Sequence, residues 1–225
     1  MSDRVEFFFD PLCPWAYQTS IWIKDVRGQI GLEIAWSFFS LEEINRPENK
    51  KHPWERDWAY GWSLMRIGAL LRRRSMEDLE RWYSVVGEAL HARGAKSHRR
   101  EVAEHLAEEA GFGAEVVGDA LADETTAAEV KSDHHRAVTE FGAFGVPTLV
   151  FADGQSIFGP KVTPAPRGPE ALDLWEMVVA WRDFPYLYEL KRPQRATDIA
   201  HIAKSFSPYL EARDWQTIEK PAPGS

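Results

Sequence analysis

Of 225 residues only one, Cys13, is a cysteine. That scarcity excludes an internal disulfide and a multi-cysteine zinc site, so Cys13 acts with a partner thiol or alone. Basic residues are also in the minority: 27 Lys and Arg stand against 35 Asp and Glu, a formal net charge of −8. Long-range repulsion then opposes association with phosphate backbones and anionic lipid, so neither nucleic acid nor a membrane is an expected partner. No run of about 18 apolar residues is present, and the first ten residues lack the basic and apolar blocks of a secretory leader. The expected location is the cytoplasm. No glycine-rich dinucleotide fingerprint follows the first apolar segment, which leaves a tightly bound NAD or flavin unsupported and makes a thiol the expected source of reducing power.

What is present is a globular composition, with 44% hydrophobic and 28% charged residues, 15 Gly and 14 Pro. At this length it fits one domain with an insertion, or two small domains. Ten tryptophans stand out, and such large flat side chains either fill a broad core or line an aromatic pocket.

Along the chain, residues 4–9 (Arg-Val-Glu-Phe-Phe-Phe) predict a short strand that stops at Asp10-Pro11. Pro14 suits the first position of a helix running to about Val26, with Gly28 as its left-handed cap. Leu32, Ile34, Trp36 and Phe38 then alternate with a second set of side chains, the period of a strand. A strand, helix, strand order of this kind makes parallel neighbours. From Trp54 to Phe141 the period becomes 3.6, with Trp54, Trp58, Trp62, Met65 and Ala69 on one face and Leu79, Trp82, Val86 and Leu90 on another. Ser75 before Asp78, then Gly94 and Gly111, mark internal starts and stops. Asp123 or Thr125 is placed to cap a later helix through Val130, His134 and Val138.

Residues 147–151 and 155–158 flank Asp153-Gly154, a two-residue hairpin signal. Pro169 opens a last helix that Pro185 should end, a further helix is expected within Lys191–Ile202, and Glu219–Ser225 is read as a disordered tail. The assembly predicts an α/β fold in which residues 1–50 and 143–185 share one four-stranded sheet. Residues 51–142 form a helical insertion, and residues 186–225 a C-terminal extension and tail.

Cys13 therefore sits at a helix start beyond a strand's carboxyl end, where open α/β sheets place their sites. Unpaired backbone N–H groups and the helix dipole there are expected to lower the thiol pKa from about 8.5. The alternative is a cysteine that is only a small buried hydrophobe. Asp10 opposes the helix effect, because a nearby carboxylate raises a thiol's pKa. Gly145-Val146-Pro147-Thr148 opens a strand with a proline whose bond, on sequence alone, is expected to be trans.

Asp10-Pro11-Leu12-Cys13-Pro14-Trp15, the βαβ–helices–ββα order and Val146-Pro147-Thr148 together resemble the thioredoxin-like fold of DsbA-family oxidoreductases with a helical insertion. The match is closer still to the mycothiol-dependent nitroreductase group of actinobacteria. It rests on Ser132-Asp133-His134-His135, on Phe158-Gly159-Pro160 to Pro166-Arg167-Gly168, and on Phe184-Pro185 through Glu189-Leu190-Lys191-Arg192. The resemblance spans roughly residues 4–193. It implies a cis peptide before Pro147, facing Cys13 across a substrate groove. It further implies Cys13 as the attacking cysteine, Pro14, Trp15, Val146, Pro147 and Thr148 as groove residues with His135 as a possible lining residue, and a homodimer. Ala16 departs from the pattern, since dithiol members carry their resolving cysteine there.

Three functions follow as alternatives. In the first, thiolate Cys13 exchanges with a low-molecular-weight thiol, mycothiol or glutathione, and the pair reduces a disulfide or an electrophilic or nitroaromatic compound. In the second, resembling kappa-type glutathione transferases and 2-hydroxychromene-2-carboxylate isomerases, the residue at the helix start activates a bound thiol. The third is a non-catalytic binding module. No metal is expected: adjacent His134 and His135 diverge by about 100° on a helix, and Gly94 interrupts the His91, His98, His105 series. Arg72-Arg73-Arg74 and Arg99-Arg100 are read as solvated faces, with Lys161 and Arg167 as further candidates to recognise an anionic thiol.

Overall fold

The computed structural model describes Arg4–Asp214. The elements in order are β1 (Arg4–Phe9), α1 (Pro14–Ile30), β2 (Glu33–Phe38), α2 (Leu41–Ile44), α3 (Tyr60–Arg72), α4 (Met76–His91), α5 (Arg100–Glu109), α6 (Glu115–Ala122), α7 (Glu124–Phe141), β3 (Thr148–Phe151), β4 (Ser156–Phe158), α8 (Pro169–Ala180), α9 (Ala196–Ser205) and α10 (Ser207–Ala212). The sheet order is β2-β1-β3-β4. β1 runs parallel to β2 and antiparallel to β3, and β3 pairs antiparallel with β4.

β1 is central, so both of its faces are buried, which explains an unbroken Phe7-Phe8-Phe9 run where a half-exposed strand would alternate. Phe9 stacks on Tyr83 of α4 at 3.9 Å, and Phe8 meets Phe141 of α7 at 6.0 Å. α1 packs against α8 through Trp22 and Trp175, 6.2 Å apart, and the Trp22 indole N–H donates to the Ala171 carbonyl at 2.9 Å. Burying each such aromatic contributes on the order of 1.5–3 kcal/mol. Among the described residues, five of nine tryptophans (Trp22, Trp36, Trp62, Trp82 and Trp175) are buried in the core.

Several element boundaries differ from the sequence expectation. Gly28 lies inside α1; the helix runs on to Ile30, and Gly31 takes the left-handed conformation at φ 71° because the chain must turn there into β2. Trp54 and Trp58 precede α3, since Pro53 opens a short 3-10 turn and Arg56 is extended. The rings of Trp54 and Trp62 meet nonetheless, at 5.3 Å. Ser75 caps α4 by accepting from the Asp78 N–H, and Asp123 rather than Thr125 caps α7. The hairpin loop is longer than two residues, spanning 152–155, and only Gly154 has a positive φ. Asp153 keeps a negative φ because its carboxylate accepts the Gln155 N–H at 3.0 Å. α8 stops at Ala180, before Pro185, and is followed by a 3-10 turn over Trp181–Asp183. A helix forms in the C-terminal extension, but it starts five residues and ends three residues later than expected, and α10 follows it unforeseen. The tail at Glu219–Ser225 lies outside the described residues.

Candidate active site

The site is assembled from the loop that leaves β1. Asp10 is 1% exposed. One carboxylate oxygen accepts the Leu12 N–H and the other the Leu41 N–H, each at 2.8 Å, so this residue ties the β1–α1 loop to the start of α2. Its backbone carbonyl accepts the Cys13 N–H at 3.0 Å. The turn delivers Cys13 to the N-cap of α1, with Pro14 in the first helical position where its missing N–H costs nothing. Cys13 Sγ accepts the Ala16 N–H at 3.4 Å and donates to the Val146 carbonyl at 3.5 Å. The Val146–Pro147 peptide is cis. Strand β3 and the N-terminus of α1 are thereby joined at one sulfur.

Burial decides the electrostatics. Cys13 is 5% exposed, and loss of water pushes its thiol up to about 12, with the Asp10 carboxylate adding to the rise. The Ala16 N–H and Lys161 pull the other way and lose. The lowered pKa expected at this helix start is therefore corrected: the backbone N–H groups of Ala16 and Trp15 cannot offset removal of the thiolate from water. Burial likewise raises Asp10 to about 7, against the two backbone N–H groups that favour its ionised form. It lowers His91 to about 4, so this imidazole is neutral and its Nε2 donates to the Pro11 carbonyl at 2.9 Å.

The remaining sequence candidates divide. Trp15 is half-buried; Lys161 Nζ lies 4.9 Å above its ring, and the Phe206 ring of the α9–α10 junction meets it edge-on at 4.8 Å. Pro14 is half-buried, and Val146 and Pro147 are buried at the sulfur. Thr148 is 2% exposed and turns its hydroxyl inward to the Gly145 carbonyl at 2.8 Å, so its side chain is spoken for. His135 is exposed on α7, and among the described residues no hydrogen bond or ring contact joins it to the Cys13 loop. Its neighbour His134 is buried and accepts the Ser40 N–H at 3.2 Å. The spacing of Val130, His134 and Ala137, all buried, was the signal that separates the two. Arg167 pairs with Asp25 at 3.8 Å, while Arg72 is held by Asp133 and Glu129, so neither stands beside the sulfur as an anion ligand. Sequence reasoning missed His91, Tyr83 and Tyr209. All three lie far from Cys13 in the chain, and aromatics at core spacing carry no mark of what they face.

Comparison with known proteins agrees with this geometry. The fold is similar to a probable DsbA oxidoreductase of Streptomyces coelicolor (20% identity, TM-score 0.58, covering 86% of this chain and 94% of that one). It is also similar to a 2-hydroxychromene-2-carboxylate isomerase (16%, TM-score 0.59, 80% and 96%). A third likeness is to the cytosolic disulfide reductase DsbM of Pseudomonas aeruginosa, solved with GSH (17%, TM-score 0.55, 78% and 98%). In sequence, the chain is 54% identical over 216 residues to the uncharacterized protein Rv2286c of Mycobacterium tuberculosis, covering 96% of this chain and 93% of that protein. Residues 12–192 match the Rv2466c-like family, described as mycothiol-dependent nitroreductase Rv2466c. With the fold and the greater part of its length in agreement, the chain belongs to the Rv2466c-like family of DsbA-like, thioredoxin-fold proteins.

Proposed function

We propose that this protein is a thiol-dependent oxidoreductase in which Cys13 alone exchanges with a low-molecular-weight thiol, mycothiol or glutathione, in the cytoplasm. The observation that carries the reading is the seat of Cys13 Sγ at the N-terminus of α1, 3.5 Å from the carbonyl that precedes Pro147. A thiol bound along that carbonyl and against Trp15 would meet the sulfur in line, with Pro14 and Pro147 forming the walls. In the exchange, the Cys13 thiolate attacks a disulfide RSSR, forming Cys13–S–SR and releasing RS⁻. A second thiolate, from R′SH, attacks the R sulfur, forms RSSR′ and returns the Cys13 thiolate. The second thiol is required because Ala16 offers no sulfur to close an internal disulfide. With a nitroaromatic acceptor the balance is ArNO2 + 2 RSH → ArNO + RSSR + H2O, two electrons coming from the two thiols.

Family membership and the fold likeness to a disulfide reductase solved with GSH support the reading. Intact-mass measurement after incubation with oxidised mycothiol or oxidised glutathione tests it: one adduct per chain is expected, lost in Cys13→Ser. Absence of any adduct on the unmodified chain sinks it. A second reading, activation of a bound thiol without exchange, is favoured by the burial that keeps Cys13 protonated. Survival of thiol-dependent turnover in Cys13→Ser would select it.

A further inference from the structure

Beyond Asp183 the chain runs through residues 184–195 with no helix or strand and with nearly every side chain exposed, including Tyr186 and Tyr188 at 74% and 90%. It then returns as α9 and α10 to the mouth of the Cys13 site. Three contacts seat it there. Phe206, itself 7% exposed, meets the Trp15 indole edge-on at 4.8 Å. Tyr209 lies against His91 at 5.2 Å and, with Ala212, joins the apolar cluster that contains Leu12. Pro208 closes on Gly94, where an added Cβ would come within 3.3 Å of the Pro208 carbonyl oxygen. Burial raises the Tyr209 phenol pKa, and Cys13 and Asp10 add smaller contributions to the rise.

The far end is fastened by charge. Asp214 accepts from Lys96 Nζ at 2.8 Å and is also paired with Arg99 and with His98, all from the α4–α5 connection. The strap thus has a long exposed leader, an aromatic occupant and an ionic clasp. Cys13, at the carboxyl end of a sheet where sites are normally open, is 5% exposed, and the strap packs on its near neighbours Leu12 and Trp15.

We propose that α9–α10 is an internal occupant of the Cys13 site, clasped shut by Asp214, which must lift before a thiol or an aromatic acceptor reaches the sulfur. Phe206 occupies space against the Trp15 ring, so a flat acceptor that packs on the indole there competes with it. The inference rests on the proposed use of Cys13 for the identity of the ligand, but the gating itself is read without turnover.

The experiment is the alkylation rate of Cys13 by iodoacetamide in the full-length chain, in Asp214→Asn and in Phe206→Ala, followed by intact mass at fixed pH. Asp214 is at the surface, so its variant folds; Phe206→Ala probes the same strap from its apolar side. Both variants are expected to react at least about fivefold faster, since loss of the clasp shifts population toward the open form. Raising salt is expected to speed the unmodified chain and leave Asp214→Asn unmoved, because the partly exposed clasp is screened. An Asp214→Asn rate equal to that of the unmodified chain overturns the proposal, whatever Phe206→Ala does. Fast labelling of the variant with no thiol adduct would instead leave the strap standing and remove the oxidoreductase reading.

Discussion

The thiol of Cys13 donates to the carbonyl of Val146 at 3.5 Å, joining positions 133 residues apart. A donor must keep its proton, and burial raises this thiol to about 12. Alkylation of Cys13 is therefore expected to climb about tenfold per pH unit well past 8.5, where an exposed cysteine levels off. The measurement is the iodoacetamide rate from pH 7 to 10. A plateau near pH 7 would mean that the helix N-terminus outweighs burial after all.

Asp10 gives a pH signature of its own. Its folded-state pKa, about 7 against 3.8, means that the fold holds the proton more tightly than the open chain does. The stability this contributes is full below about pH 4 and is lost as pH rises through about 7. Asp10→Asn removes that slope. The amide also turns an NH2 group toward one of the two backbone N–H donors that the carboxyl accepts, which costs about 1–3 kcal/mol. Urea denaturation should show the gap between the two proteins widest at about pH 4 and narrowing toward neutrality. Parallel curves would show that Asp10 does not titrate in this range.

Local chemistry made half of this site legible. Pro14 after Cys13 marks a helix start whatever lies elsewhere, and Asp123 marks a cap by the same rule. The burial of Cys13 was illegible because the groups it packs among come from distant parts of the chain, Val146 before β3 among them, and no local pattern announces that meeting. Gly28 and Gly31 differ only in which is used as the cap, and the sequence offers two adequate choices. His134 and His135 are the opposite case: the helical spacing with Val130 and Ala137 was there to be used.

Gly87 sits where α4 approaches α1. A Cβ there would come within 2.5 Å of Cδ2 and 2.9 Å of Cε2 of Tyr17, whose ring stacks on His91 at 5.0 Å. Alanine gains up to about 1 kcal/mol of helix propensity, but the forced displacement of a packed ring costs about 1–3 kcal/mol. Gly87→Ala is expected to lower stability. Gly28→Ala, inside α1 with no atom near its added carbon, is expected to raise it by about 0.5–1 kcal/mol. Denaturant midpoints of the two variants check both signs; stabilisation by Gly87→Ala would show that Tyr17 moves freely.

Ala16 is the residue that decides whether exchange ends inside the chain or outside it. Its N–H lies 3.4 Å from Cys13 Sγ, and its side chain is fully buried in the first turn of α1. Ala16→Cys adds one sulfur atom to that turn, within reach of a bond across the two intervening residues. Attack by the new thiolate on Cys13–S–SR would release RS⁻ and leave an internal disulfide, two hydrogens lighter than the reduced chain. The unmodified protein is expected to retain a glutathione adduct after treatment with oxidised glutathione, and Ala16→Cys to lose it within the same incubation. Should the adduct persist in the variant at the unmodified level, the first turn does not let a second sulfur reach Cys13, and the missing cysteine is not what makes this site depend on an external thiol.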